Sequence, residues 1–404
     1  MQRYGLLGEK LGHSYSPQIH AQLASYPYDL YEVAPERLDA FLRMTELAGM
    51  NVTIPYKKAV IPYCKALSPA AARIGSVNTL VRRADGWYGD NTDYDGFCYM
   101  ARDFAIAGKK ALVLGNGGVS LTVQQALRDL GAREAVVISR RGPDNYQNLA
   151  RHADAQIIAN ATPVGMYPNN GASPLDLAGF PRLEGVLDLI YNPARTALLL
   201  QAERRGIACN GGLEMLVAQA KRAAELFTGR AIADSEIERI TRSLAGQMQN
   251  IVLIGMPGCG KTTLGKALAD RLGRPFYDAD AVLEQRTGRS IPEIFRCDGE
   301  AAFRALETQT LAELGKGSGA VIATGGGCVT RPENAPLLRQ NGRVVWVKRP
   351  LDRLPVSGRP ISQQMSAAAI YAQRRDRYAA FAAYTVENDG PLAETLAKLL
   401  EVLQ

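Results

Sequence analysis

Ile251-Val252-Leu253-Ile254-Gly255-Met256-Pro257-Gly258-Cys259-Gly260-Lys261-Thr262-Thr263 is an apolar run that ends in G-x-x-x-x-G-K-T. Its four apolar residues spell a short buried strand, and Leu264, Leu268 and Leu272 then recur at helical spacing. Between strand and helix the glycines let the backbone curl, so that successive N–H groups point inward at phosphate oxygens. Lys261 adds a mobile positive charge for the β- and γ-phosphates, and Thr262 offers a hydroxyl to Mg²⁺. The helix that follows aims its positive dipole end at the same anion. A tight strand-to-helix turn would account for the glycines but not for Lys261 followed by Thr262. The stretch reads as a nucleotide-binding loop of nine residues: Gly255, Met256, Pro257, Gly258, Cys259, Gly260, Lys261, Thr262 and Thr263. Cys259, among inward-pointing N–H groups and beside Lys261, is either an exposed sulfur with thiolate character or a small buried residue.

The loop divides a chain of 404 residues, a length that suits two or three domains. Hydrophobic residues at 47% and charged residues at 22% describe an ordinary globular enzyme. The net charge of +7 is scattered, with no basic-aromatic patch, so anionic small substrates explain it and no nucleic-acid partner is expected. Six cysteines lie far apart without metal-ligand spacing, as reduced thiols do. No apolar run is long enough for a bilayer, and the N-terminus lacks a signal pattern; no membrane association and a cytoplasmic location are expected.

Upstream, Tyr4 to Gly8 reads as a strand ending in a glycine turn, followed by Gly12-His13-Ser14-Tyr15-Ser16-Pro17-Gln18-Ile19-His20. Ser14 and Ser16 precede a proline, so they either cap a helix or face a polar ligand. Met50-Asn51-Val52-Thr53-Ile54-Pro55 is a second strand, and Lys57 beyond it is by itself a solvated lysine. Gly75-Ser76-Val77-Asn78-Thr79 and Gly89-Asp90-Asn91-Thr92-Asp93-Tyr94-Asp95-Gly96-Phe97 read as polar loops.

Taken together in this order, the four motifs resemble the shikimate dehydrogenase family. The resemblance spans about 1–245 and implies a pocket for a small polyhydroxy carboxylate, 3-dehydroshikimate. Ser14 and Ser16 would hold its carboxylate; Thr53, Lys57, Asn78 and Asp93 would hold its hydroxyls, with Lys57 and Asp93 the catalytic pair. Reducing a ring ketone needs a proton at oxygen as hydride reaches carbon, which a lysine oriented by a carboxylate can deliver. His13 and His20 are rival acids, read here as packing groups. Further on, Tyr191 and Gln219 would reach the substrate, and Met215 and Thr162 would lie near the nicotinamide.

Lys110 to Leu114 is a buried strand, Gly115-Asn116-Gly117-Gly118 a turn, Val119 to Leu130 a helix, and Glu134 to Ile138 the next strand. Glycines between such elements form a dinucleotide fingerprint, here Gly115, Asn116, Gly117, Gly118 and Val119. Where an acidic residue would meet a free ribose 2′-OH, the chain reads Ser139-Arg140-Arg141, so NADP(H) is the expected cofactor. The other reading of these arginines is an exposed basic turn. A long helix is expected from Gly211 through Ile240, then a short polar linker over Ser243 to Gln249.

After the nucleotide loop, Pro275 to Asp280 reads as a strand that puts Asp278 and Asp280 on one face. Arg304 and Glu307 lie three apart on a helix, which alone describes a surface ion pair as well as a site. Val321 to Val329 is a strand ending in Gly325-Gly326-Gly327, where no side chain obstructs a ligand. This ordered set, over about 250–404, resembles shikimate kinase. The resemblance implies ATP as donor, shikimate held by Asp280, Arg304, Gly325, Gly326, Gly327 and Arg374, a catalytic lid arginine at Arg359, and Mg²⁺ near Thr262 and Asp278, directly or through water.

The fold class expected is α/β: a discontinuous substrate domain (1–98 and 212–245) around a Rossmann NADP-binding domain (99–211), then a P-loop kinase domain (246–404) of α/β/α layers on a parallel sheet. The expected function is two consecutive steps of the shikimate pathway, with small-molecule substrates and a monomer or homodimer equally open. Two rivals stand beside it: one half a non-catalytic binding or scaffolding module, or the same chemistries on quinate and another small-molecule acceptor.

Overall fold

The computed structural model describes residues 2–12, 14–354 and 366–403. Six strands of the first ninety residues share one sheet: β1 (Tyr4–Gly8), β2 (Tyr28–Glu32), β3 (Gly49–Val52), β4 (Cys64–Leu67), β5 (Thr79–Arg83) and β6 (Gly86–Asp90). Their order is β2-β1-β3-β5-β6-β4, parallel around β1 and antiparallel across β3, β5 and β6. β1 is buried along its whole length, as an interior strand covered on both faces must be. Helices α1 (Ser16–Leu23), α2 (Leu38–Met44) and α3 (Pro69–Ile74) connect the strands. The expected loop at Gly89–Phe97 is instead the end of β6 and the start of α4 (Thr92–Met100). Asn91 caps that helix by accepting from the Tyr94 N–H. Turn-forming residues and capping residues are the same types, which is why the sequence read as a loop.

A second sheet is wholly parallel: β7 (Lys110–Leu114), β8 (Glu134–Ile138), β9 (Ile157–Asn160), β10 (Gly185–Asp188) and β11 (Ala208–Gly211), in the order β11-β10-β9-β7-β8. α5 (Gly118–Asp129) joins β7 to β8, and α6 (Ala197–Arg204) precedes β11. Because β8 flanks β7 on one side and β9 on the other, the winding reverses at β7, and the crevice for a ligand opens at its C-terminal end.

The single long helix expected after Gly211 is two helices, α7 (Leu213–Thr228) and α8 (Ser235–Met248), separated where Gly229 adopts φ 68°. α8 also absorbs the expected linker up to Met248, leaving only Gln249 of it outside the helix. Ile237, Ile240, Leu244 and Met248 are all buried, so the helical period persists beneath the polar residues that suggested a linker.

The third sheet is again parallel, ordered β13-β14-β12-β15-β16 from β12 (Asn250–Ile254), β13 (Phe276–Asp278), β14 (Val321–Ala323), β15 (Gly342–Lys348) and β16 (Tyr384–Glu387). Around it run α9 (Lys261–Leu272), α10 (Ala279–Thr287), α11 (Ile291–Lys316), α12 (Asn334–Arg339), α13 (Ala367–Phe381) and α14 (Leu392–Val402). Val252, Leu253, Ile322 and Val345 fill its core. α11 is broken at Gly299, whose φ of 82° no helix sustains. By compactness the chain forms two units: Met1–Met166, Ala172–Tyr191 and Leu198–Leu244; and Tyr167–Gly171, Asn192–Ala197 and Ala245–Gln404. Among the described residues no helix is long and apolar enough to cross a membrane.

Candidate functional site

In the first unit, a cavity of about 320 Å³ is lined by Ser14, Ser16, Thr53, Lys57, Asn78, Asp93, Tyr191 and Gln219, all eight residues expected to meet a substrate. Neither serine caps α1: its N-cap is Tyr15, without a side-chain bond. Ser14 Oγ accepts from the Ser16 N–H at 3.2 Å, and both residues line the cavity. Lys57 is not a solvated lysine. Its Nζ donates to Asp93 Oδ2 at 2.6 Å, with the two side chains 22% and 13% exposed. Asp93 sits in the first turn of α4, where the helix dipole favours a carboxylate.

Asn78 is buried and orients the same wall. Its Oδ1 accepts from the Thr92 N–H at 2.6 Å and from Thr79 Oγ1 at 3.1 Å. Asn51, not singled out from sequence although it lies two residues before Thr53 and lines the same cavity, joins this network. Its Nδ2 donates to Thr79 Oγ1 at 3.1 Å while Tyr28 donates to its Oδ1 at 2.8 Å. His20 is buried, stacked on Tyr28 and 2.7 Å from the Tyr26 hydroxyl, which agrees with a packing role; burial pushes its pKa down to about 3. His13 lies outside the described residues.

Val119 and Met215 lie on the same cavity, linking it to the β7–α5 turn. Gly115 adopts φ 96°, and a Cβ there would meet Thr162 Cγ2 at 2.8 Å. Around Gly117 and Gly118 the space is open, so backbone N–H groups at the start of α5 are accessible to an anion. Asn116 sits in this turn, with Ser139 buried and Arg140 and Arg141 exposed at the end of β8. Thr162 donates to Asn160 Oδ1 at 2.7 Å, and Asn160 donates to Asp188 at 3.0 Å. That buried Asn160–Asp188 link was not legible in sequence because each residue looks like a strand end.

In the second unit, Gly255, Gly258 and Gly260 take φ of 145°, 81° and 97°, the curled backbone expected of the loop. Lys261 is buried, its Nζ donating to the Gly255 and Met256 carbonyls at 3.0 Å each. Thr262 Oγ1 donates to Asp278 Oδ2 at 2.7 Å. Thr263 is exposed beside it, and Pro257 abuts the glycine run. Cys259 is 0% exposed, so of its two readings the small buried residue holds and the exposed thiolate does not; the loop packs against β15 beside the sulfur.

Asp278 and Asp280 do not share a strand face. β13 ends at Asp278, whose side chain caps α10 by accepting from the Asp280 N–H at 3.1 Å, and Asp280 is already helical. Asp280 nevertheless faces the glycine run: a Cβ on Gly325 would lie 2.7 Å from both Asp280 Oδ1 and Glu307 Oε1. Arg304 and Glu307 are no surface pair, being 5% and 3% exposed and joined at 2.8 Å. A Cβ on Gly326 would lie 2.6 Å from Pro257 Cδ, and one on Gly327 would overlap the Arg304 guanidinium. The glycines therefore make room for protein neighbours on this side, not only for a ligand. Arg374 Nη1 at 3.1 Å and the buried Tyr378 hydroxyl at 2.5 Å both donate to the Gly326 carbonyl. Arg359 lies outside the described residues.

Comparison with known proteins follows the same division. Residues 6–80 match the family model for the shikimate dehydrogenase substrate binding domain, and residues 257–404 that for shikimate kinase. A shikimate dehydrogenase (NADP(+)) of Clostridium beijerinckii is 35% identical over 249 residues, covering 56% of this chain and 92% of the relative. The chain belongs to the shikimate dehydrogenase family. Two solved structures resemble this dehydrogenase part. One is a chorismate mutase/shikimate 5-dehydrogenase fusion protein from Clostridium acetobutylicum: 36% identity, TM-score 0.57, 60% of this chain and 97% of the other covered. The second is the shikimate 5-dehydrogenase from Thermus thermophilus in complex with NADP(H) and shikimate: 32% identity, TM-score 0.55, 60% and 99% covered. The chain thus joins a shikimate dehydrogenase to a shikimate kinase domain, an oxidoreductase of NADP and an ATP-using transferase in one polypeptide.

Proposed function

We propose that the dehydrogenase reduces 3-dehydroshikimate to shikimate with NADPH, and that the kinase phosphorylates shikimate on its 3-hydroxyl from ATP. The observation that carries the first half is the convergence of eight residues from six separate stretches on one cavity, around a Lys57–Asp93 contact of 2.6 Å. Ser14 and Ser16 hold the substrate carboxylate, and Thr53 and Asn78 its hydroxyls. Asp93 orients the Lys57 amine, which delivers or relays a proton to the ring oxygen. Tyr191 and Gln219 complete the wall. NADPH, when bound, supplies the hydride. The turn Gly115, Asn116, Gly117, Gly118 and Val119, open at Gly117 and Gly118, receives its pyrophosphate. Ser139, Arg140 and Arg141 receive the 2′-phosphate, and Thr162 and Met215 flank the nicotinamide.

In the kinase, Gly255 to Thr263 cradle the ATP phosphates, and Lys261 moves from two backbone carbonyls to phosphate oxygens. Asp280, Arg304, Arg374 and the Gly325–Gly327 turn hold shikimate; Arg359, outside the described residues, keeps the catalytic role that the kinase resemblance implies. Thr262 and Asp278, a hydroxyl and a carboxylate 2.7 Å apart, fit a hard cation that keeps most of its water, and so would hold Mg²⁺. When bound, Mg²⁺ offsets charge on the transferring phosphate. The discontinuous substrate domain (1–98 and 212–245), the Rossmann domain (99–211) and the kinase domain (246–404) are assigned on the same reading. Incubation with 3-dehydroshikimate, NADPH, ATP and Mg²⁺ should yield shikimate 3-phosphate by mass spectrometry. NADPH oxidation that stops at shikimate, or phosphorylation without reduction, sinks one half of the proposal.

A further inference from the structure

The turn that leaves β8 holds more than its arginines. The Ser139 N–H donates to the Asp144 carbonyl at 3.2 Å, so residues 139–144 close into a tight loop. Asn145 Nδ2 donates to the Gly142 carbonyl at 3.1 Å, and Asn148 Nδ2 to the Pro143 carbonyl at 2.9 Å, fixing its second half. One ionisable contact completes it. Asp144 Oδ1 lies 2.8 Å from Nε2 of His152, whose side chain is 10% exposed against 32% for the carboxylate.

A carboxylate three residues beyond Arg141 is out of place in a loop that must receive a phosphate dianion. Like charges within about one Debye length, roughly 8–10 Å, repel measurably. A released Asp144 would also compete with the phosphate for the guanidinium groups of its own turn. We propose that His152 is a positioning residue for cofactor choice: it retains the Asp144 carboxylate and so leaves Arg140 and Arg141 free for the 2′-phosphate. This rests on the 2′-phosphate reading of those arginines.

The test is the KM for NADPH and for NADH in the full-length enzyme, with folding checked by thermal melting. Wild type should prefer NADPH. His152→Ala should raise the NADPH KM about tenfold, the order of one lost charge-assisted contact, with kcat and the NADH KM within about twofold of wild type. His152→Gln, which still donates to the carboxylate, should stay near wild type. Adding Asp144→Asn to His152→Ala should restore NADPH binding, which no loss of packing would allow. A wild type indifferent to the phosphate overturns the arginine reading and this inference with it. A wild-type preference that survives His152→Ala, a loss equal for both cofactors, or a double variant without restoration overturns this inference alone.

Discussion

Among the described residues the Lys57 Nζ donates to Asp93 at 2.6 Å, and Lys57 lines the cavity. Lys57→Ala should lower dehydrogenase turnover by roughly 10²–10⁴-fold, the range for a general acid–base group, while phosphorylation of added shikimate stays at the wild-type rate. Loss of both activities in a folded variant would refute this. His20 gives a second prediction. Its folded pKa of about 3 lies below the ordinary 6.5, so the unfolded chain binds the extra proton between those values. His20 therefore costs nothing above pH 6.5 and destabilises progressively as pH falls toward 3. At about 1.4 kcal/mol per pH unit, unfolding free energies near pH 4.5 and pH 7.5 should differ by about 2–3 kcal/mol more in wild type than in His20→Gln. Parallel pH profiles for the two proteins would contradict it. Lys57, Asp93 and Asn78 were singled out only through the family resemblance that their motifs carry together; that they line one cavity is what the structure adds. Asn51 was not, because its partners Tyr28 and Thr79 come from β2 and β5, distant in the chain.

Elements show the same boundary between local and non-local information. The β12-loop-α9 and β7-turn-α5 units were readable because strand, glycines and helix follow one another directly. The glycine run after β14 was readable as a place without side chains, but what excludes them was not. Pro257, Arg304, Asp280 and Glu307 arrive there from three other segments. Gly326→Ala would press a methyl against the Pro257 ring, which belongs to the nucleotide loop, so one or the other must shift. Misplacement on the scale of an ångström should lower kinase turnover roughly 10–100-fold and leave NADPH oxidation unchanged; a variant with normal kinase kinetics would show that the turn yields freely. α8 supplies a stability test. Leu244, 1% exposed, lies in the stretch that reads as a linker. Leu244→Ala should cost about 2–5 kcal/mol if it is core and almost nothing if it is a linker, a difference that denaturant unfolding resolves.

For the whole molecule, the proposed assignment gives the two chemistries separate residue sets. Lys261→Ala should abolish ATP use and leave NADPH oxidation intact, the mirror image of Lys57→Ala. An equimolar mixture of these two variants should still convert 3-dehydroshikimate to shikimate 3-phosphate, since shikimate released by one molecule can diffuse to another. Failure of the mixture, with each variant retaining its own activity, would require a transfer route within one chain. The passage from α8 to β12, just after the unit boundary at Leu244–Ala245, has a different consequence. Met248 closes α8 and Asn250 opens β12, so Gln249 alone stands outside regular structure. Proteases cut exposed, irregular segments that can be drawn out, and one residue between a helix and a strand gives them no such handle. Translation therefore delivers reductase and kinase in strict one-to-one stoichiometry, and at this junction proteolytic turnover has little opportunity to unbalance them.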